Sequence, residues 1–329
     1  MRLREMVMDR KNRKIMSVFL LSTSFLFFLM SCSGAKNSQQ SAFKENEYRR
    51  VMERQKNSAL AAAEEEALKK KSELTAEEYE RLGDSYFRQG SMASAFLQYD
   101  KALRLDRNQP GIHYKMGRLF LEKGLAEEAK KEFQEVLKMN PRHGLAFEGM
   151  GWALFRMGEL REAETNLRQA VQLDASLWQA HHLLGIIYDR LQQYDDAILQ
   201  YKSALHLQPS AGLLLNNLGM SFLLKGEYEE AIKSFAGALK LETSNPKIYN
   251  NLGLALYKSR RYQEVLEVFK KSGDEASAYN NLGVLYMADG RYKEAVEAFE
   301  RALEIRPGFY VKAYENLEKA KAAHQTPSN

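Results

Sequence analysis

Side chains able to carry chemistry are few in this sequence and do not converge. The chain has 6 histidines, and two of them, His113 and His181, stand in the same slot, four residues ahead of Gly117 and Gly185. A metal site needs His, Cys or carboxylate ligands brought together at short range. Adjacent His181 and His182 diverge on a helix instead, so His113 and His181 are read as fillers of a semi-exposed packing slot. The sequence holds no HExxH and no phosphate-binding GxxxxGK[ST] loop. The acidic runs Glu64–Glu66 and Glu229-Glu230 fall where helices meet solvent. Without a set of nucleophile, base and charge-stabilising donors, the sequence predicts no catalytic residue, no metal, no cofactor and no small-molecule substrate.

The single cysteine, Cys32, can form neither an internal disulfide nor a cysteine-based metal site. Its context offers a different chemistry. A basic segment precedes an apolar run, residues 16–30, which ends at Ser31-Cys32. A run this short suits a signal-peptide core rather than a membrane span, which takes roughly 20 residues. Leu29-Met30-Ser31-Cys32 resembles the bacterial lipobox, which implies cleavage after residue 31 and a lipidated Cys32 as the mature N-terminus. An ordinary secretory signal with an incidental cysteine is the other reading of the same residues. Acyl chains contribute about 0.8 kcal/mol per buried methylene, so two or more would hold the chain at a membrane. Ser33, rather than an aspartate, follows the cysteine. In a diderm host, lipoprotein sorting then implies the outer membrane, facing the periplasm.

Beyond the anchor, residues 32–46 are polar and small, as in a flexible tether, and residues 47–75 form a charged, Ala-rich helical spacer. The formal charge of +5 is concentrated in the signal segment, and the remainder is nearly balanced. With no dense Lys/Arg stripe interleaved with aromatics, a nucleic-acid partner is disfavoured and none is expected. The 45% hydrophobic content is enough to build a core.

The elements that build this core repeat. Glycines fall at Gly83, Gly117, Gly151, Gly185, Gly219 and Gly253, each 34 residues from the last, and Gly283 follows 30 later. Twelve positions after most of them sits alanine (Ala95, Ala129, Ala163, Ala197, Ala231, Ala295), and sixteen after each sits a large side chain, from Tyr99 and Phe133 through Phe299. A second glycine (Gly90, Gly124, Gly158, Gly226, Gly290) turns the chain between helices, and Pro141, Pro209 and Pro307 close units, since proline cannot continue a helix. The spacing places glycine, alanine and ring on facing sides of two helices, with the alanine as the expected contact of the glycine.

This pattern resembles the tetratricopeptide repeat (TPR), in seven copies over residues 76–309. The resemblance implies an all-α, right-handed superhelical solenoid of about seven helix pairs, with residues 310–329 supplying a capping helix and a tail. The cap's expected stripe is Tyr310, Tyr314, Leu317 and Lys321. The resemblance also implies a concave groove lined by the first helix of each pair. Its candidate peptide-binding residues are Asn216, Asn217, Met220, Leu223 and Leu224, then Asn250, Asn251, Leu254 and Tyr257, then Asn280, Asn281, Val284 and Met287. Trp152 and Phe155 are the aromatic anchors of the N-terminal half. Asparagine amides donate and accept, so a ladder of them can hold an extended peptide, and Met-containing apolar walls accept a hydrophobic segment. The same asparagines are also common in the repeat itself. Lys115, Arg118 and Lys247 are too scattered to form a basic clamp on a C-terminal carboxylate.

The sixth unit is four residues short and carries Val265 where alanine recurs. It is expected to lose about 6 Å of helix at 1.5 Å per residue, either shaping a site or being a tolerated deletion. The order of parts is similar to the TPR lipoprotein family of Tad/Flp pilus assembly. That likeness implies a scaffold, anchored in the bacterial envelope, that assists assembly of a secretion pore through protein contacts alone. An adaptor docking peptidoglycan hydrolases or a periplasmic protease, and a non-catalytic subunit of an envelope enzyme complex, are the alternatives.

Overall fold

The computed structural model describes residues 50, 74–307 and 311–325 of the 329-residue chain. The signal segment, Cys32, the 32–46 tether and most of the 47–75 spacer lie outside the described residues. Among those described there are fifteen α-helices and no strand. Packing divides the chain at Thr243, and each part is taken by itself.

The first part holds five helix pairs: α1 (Ala76–Arg88) with α2 (Met92–Leu105), α3 (Pro110–Glu122) with α4 (Ala126–Met139), α5 (Gly144–Met157) with α6 (Leu160–Leu173), α7 (Trp178–Arg190) with α8 (Tyr194–Leu207), and α9 (Gly212–Lys225) with α10 (Tyr228–Leu241). Local chemistry starts several of these helices. Thr75 and Glu78 form a reciprocal cap, with Oγ1 accepting from the Glu78 amide at 3.2 Å and Glu78 Oε2 accepting from the Thr75 amide at 2.8 Å. Pro110 opens α3, where a missing N–H costs nothing. His143 caps α5 by accepting the Ala146 amide on Nδ1 at 3.1 Å.

Within each pair the helices approach until glycine is required. A methyl placed on Gly83, Gly117, Gly151, Gly185 or Gly219 would lie 2.5–2.8 Å from the side chain sixteen residues on: Tyr99, Phe133, Leu167, Tyr201 and Phe235. The large side chain, a ring in four pairs and Leu167 in the third, is therefore nearer the glycine than the alanine expected from the spacing. The alanines are fully buried beside it, as Ala95, Ala129 and Ala163 show. Gly158 and Gly226 end their helices at φ 85° and 90°. In the α7–α8 turn Gln192 takes the same left-handed conformation at φ 59°.

The second part holds α11 (Pro246–Lys258) with α12 (Tyr262–Ser272), α13 (Glu275–Ala288) with α14 (Tyr292–Ile305), and α15 (Val311–Gln325). The shortened unit costs α12 three residues, 11 against the 14 of α14, or about 4.5 Å of helix. Val265 fills the alanine slot, fully buried. The tight exit is fixed by polar contacts. Asp274 accepts the Ser277 amide at 3.0 Å and pairs with Arg306 at 2.8 Å, and Lys270 pairs with Glu275 at 3.1 Å.

Helix α15 caps this part on a different face from the one expected. Ala313, Leu317 and Ala320 are its buried side chains, and Leu317 and Ala320 join a core with Ala295 and Phe299. Tyr314 is 58% exposed. Small side chains let α15 lie close on α14, and a tyrosine there would hold the helices apart. Lys321 stays outside the core and pairs with Glu300 at 3.1 Å; Tyr310 lies outside the described residues.

Candidate peptide-binding faces

The first helices of successive pairs touch one another, α3 with α5, α5 with α7 and α7 with α9, and so make one face of residues 74–243. Trp152 and Phe155 of α5 are half-buried there, edge to face with centroids 6.2 Å apart. The Arg190 guanidinium of α7 lies 4.3 Å above the Phe155 ring, and Arg118 of α3 lies 5.8 Å from the Phe87 ring of α1. Each cation on a ring at an exposed site is worth about 0.5–1 kcal/mol. Arg156 donates to the Leu121 carbonyl at the end of α3, where a cation also meets the negative end of the helix dipole.

Near α1 the acidic groups are already engaged. Lys115 Nζ donates to Glu80 at 2.6 Å and Asp84 at 2.7 Å, and the Tyr99 hydroxyl donates to the other Asp84 oxygen at 2.7 Å. Burial opposes charge on Lys115, but these two carboxylates hold its pKa above the ordinary value. Lys115 is therefore committed to its neighbours and cannot serve a peptide carboxylate. A pocket of about 150 Å³ opens here, lined by Asp84, Phe87, Arg88, Tyr99, Lys115 and Arg118.

Deeper in the same face runs a polar layer. Asn217 Nδ2 donates to His182 Nε2 at 3.0 Å, which requires that nitrogen to be unprotonated. Burial also pushes the His182 pKa down. The indole of Trp178 stacks near the His182 ring. Asp189 accepts from the Ser221 hydroxyl at 2.8 Å and the Tyr201 hydroxyl at 2.9 Å. Burial pushes its carboxyl up to about 6, against the lowering effect of those two bonds. Burial likewise raises Glu148, whose Oε1 has no hydrogen-bond partner among the described residues.

The histidine slot noted in the sequence is polar glue. His113 Nδ1 meets Glu132 at 2.7 Å and Nε2 meets the Arg107 carbonyl at 3.3 Å; His181 repeats both contacts, with Gln200 at 2.7 Å and the Ala175 carbonyl at 3.3 Å. Each ring ties a first helix to its partner helix and to the preceding loop. The bond to Glu132 raises the His113 pKa, against burial. Among the described residues no three His, Cys, Asp or Glu side chains are grouped to hold a metal, and no helix is long and apolar enough to cross a membrane.

The sequence-derived groove residues separate into surface and wall. In the first part Asn216, Asn217 and Leu224 are half-buried, whereas Met220 and Leu223 are buried at 8% and 6% exposure. In the second part Asn250 is exposed, and Asn251, Leu254 and Asn281 are half-buried. Val284 and Met287 are half-buried against the α14–α15 core. Tyr257 is buried, its hydroxyl donating to Asp289 at 3.2 Å and its ring against Tyr262 and Tyr286. Asn280 is buried under α15, accepting from Asn316 at 3.0 Å. Met220, Leu223, Tyr257 and Asn280 thus stand behind the surface, Tyr257 under the Tyr262 and Tyr286 rings and Asn280 under Asn316. The sequence reading missed Arg190 over Phe155, the His182–Asn217 link and the Asp189–Ser221 link.

A family model described as Cilia and flagella-associated protein 70 C-terminal domain matches residues 42–280, and the tetratricopeptide repeat model matches residues 276–309. The chain belongs to the tetratricopeptide-repeat family. No curated protein matches it. Among solved structures, the C-terminal part of a TPR repeat-containing protein from Cytophaga hutchinsonii is similar, with a TM-score of 0.58 at 19% identity over 72% of this chain and 98% of the other. A tetratricopeptide repeat protein from Parabacteroides merdae gives 0.52 at 17% identity over 75% and 98%. MamA gives 0.46 at 26% identity over 51% and 92%. The first two share the fold of the repeat array described here.

Proposed function

We propose that the chain is a lipid-anchored scaffold of the bacterial cell envelope that binds partner proteins on the face made by its first helices and assists assembly of a pilus or secretion machine. Tetratricopeptide arrays are protein-interaction scaffolds, and the observation that carries this reading is the half-buried Trp152–Phe155 pair on that face. Large aromatics in partly desolvated positions are the side chains around which binding energy concentrates. The absence of any convergent acid, base or nucleophile in the sequence supports a role without catalysis. The lipobox-like residues before Cys32 and the similarity in order of parts to Tad/Flp lipoproteins support the envelope setting.

The test is site-specific photo-crosslinking in the cells that make the protein. A crosslinking side chain at Trp152 is expected to capture a discrete partner, and one at Leu199, exposed on the second helix α8, is not. Capture from position 199 alone would place binding on the other face. For the anchor, Cys32→Ala is expected to move the protein from the membrane to the soluble fraction, and unchanged membrane recovery would remove the lipid from the proposal.

A further inference from the structure

We propose that the joint between α7 and α9 takes up one proton, at Asp189, and in doing so keeps the fourth and fifth helix pairs together as the surroundings acidify.

The geometry around Ser221 carries it. His182 and Asp189 lie two turns apart on α7, and the groups they meet, Asn217 and Ser221, lie one turn apart on α9. These links close into a circuit. Asn217 Nδ2 donates to His182 Nε2, the Tyr201 hydroxyl donates to Asp189 Oδ2, and the Tyr201 ring returns to His182 with centroids 6.1 Å apart. Ser221 completes it. Fully buried, it has one hydroxyl hydrogen for two acceptors within reach, Asp189 Oδ1 at 2.8 Å and the Asn217 carbonyl at 3.2 Å. That hydrogen makes one good bond at a time. A proton from solvent placed on Asp189 Oδ1 removes the shortage. The carboxyl then donates to Ser221 Oγ, the hydroxyl turns its hydrogen to the Asn217 carbonyl, and Tyr201 keeps its bond to Oδ2. The proton neutralises a half-buried charge and breaks no hydrogen bond.

The surroundings of Asp189 favour that proton. Among the described residues no cation pairs with it, and the titratable groups against it are the Tyr194 and Tyr201 phenols of α8, both raised by burial and by its charge. The other helices packed on α7 direct their groups elsewhere: Glu164 of α6 meets the Tyr188 hydroxyl at 3.3 Å, and Phe155 of α5 lies under Arg190. His182 is the opposing group. Its ring meets the neutral Trp178, Tyr201 and Asn217, and a proton on Nε2 would face the Asn217 N–H. Burial lowers its pKa, so its contribution is lost as pH falls below 6.5. Burial raises Asp189 to about 6 from 3.8, so its contribution grows as pH falls from about 6 towards 4. Within one joint the two offset each other.

The experiment uses the full-length chain in detergent and measures hydrogen exchange of α7 and α9 at pH 7 and pH 5, corrected for the intrinsic exchange rate. Opening of the joint in Asp189→Asn, relative to the native chain, is expected to rise about tenfold between the two, because pH 5 lies one unit below the folded value. His182→Gln, whose amide oxygen can still accept from Asn217, is expected to change in the other sense and open less at pH 5 than at pH 7. The native joint is expected to fall between the two variants. A native joint that opens at pH 5 as readily as the Asn variant, or a ratio that stays constant between the two pH values, would overturn the proposal. The native chain also supplies a measurement that needs no variant. With 13C-labelled aspartate, the Asp189 carboxyl carbon, assigned through its side-chain protons, is expected to titrate near pH 6. Titration of that carbon in the ordinary aspartate range would overturn the proposal even if Asp189→Asn failed to fold.

Discussion

Asn316 donates its side-chain amide to Asn280 Oδ1 at 3.0 Å, and Asn280 is 1% exposed. The capping helix α15 thus takes the place that a further first helix would occupy, and Asn280, one of the asparagines expected to line the groove, is buried against it. Asn281 reaches Asn250 at 3.4 Å by the same step. The first prediction follows from burial. Asn280→Ala removes the acceptor of the half-buried Asn316 amide, and losing such a bond costs about 0.5–1.5 kcal/mol. Hydrogen exchange is expected to show faster opening of α13 to α15 while α5 to α8 keep their protection. Uniform protection in the variant would mean that the bond contributes nothing.

Gly185 gives the second prediction. A methyl there would stand 2.6 Å from the Tyr201 ring, and that ring cannot retreat because its hydroxyl is bonded to Asp189. Gly→Ala in a helix favours folding by about 1 kcal/mol through propensity. Overpacking in a filled core costs about 1–3 kcal/mol, and with the ring held at both ends the cost is expected to sit at the upper end. Gly185→Ala should therefore lower the urea midpoint. A raised midpoint would show that α7 and α8 can separate without loss.

The turn after α11 supplies a change of the opposite sign. Arg260 adopts φ 63° in the position that other turns give to glycine, such as Gly290 at φ 73°. A left-handed conformation costs a side-chain-bearing residue roughly 1–2 kcal/mol, and glycine's larger unfolded-state entropy offsets part of the gain. Arg260→Gly is expected to stabilise residues 244–325 by about 0.5–1 kcal/mol, seen as a higher thermal midpoint. A lower midpoint would mean that the Arg260 side chain contributes more than the strain removes.

These residues also show what could be read from the sequence. The helix pairs were legible because glycine and ring must recur at one spacing for two helices to touch, and Gly83–Tyr99 to Gly283–Phe299 keep it. The asparagines were visible, but their partners were not, since the amide of Asn217 could face a peptide or a neighbour. A usable signal does exist. Lys115–Glu80, Arg190–Phe155 and Asn217–His182 are each separated by 35 residues, one more than the period, and Asn281–Asn250 by 31 in the shortened unit. Complementary side chains at one period plus one thus mark contacts between successive first helices. The cap was misread at Tyr314 because its side chain is larger than those of Ala313 and Ala320, while close helix contact favours the alanines.

The last prediction concerns Asp189 and its pH dependence. Burial holds its folded pKa at about 6, against 3.8 for the free group. Above pH 6 the carboxylate is charged in both states, and burying that charge works against folding. Between about pH 6 and pH 4 the folded chain binds a proton that the unfolded chain does not, so stability from this group rises as pH falls. His182 acts the other way, because burial depresses its pKa and acidification below its ordinary value of 6.5 opposes its neutral form. Comparing the native chain with Asp189→Asn cancels the histidine contribution, since both proteins carry it. Thermal melts at pH 7 and pH 4.5 are expected to show the native chain gaining on the Asn variant at the lower pH. A difference that stays constant between the two would mean that Asp189 is already as well solvated in the fold as in water, and its bonds to Ser221 and Tyr201 would then fully offset its burial.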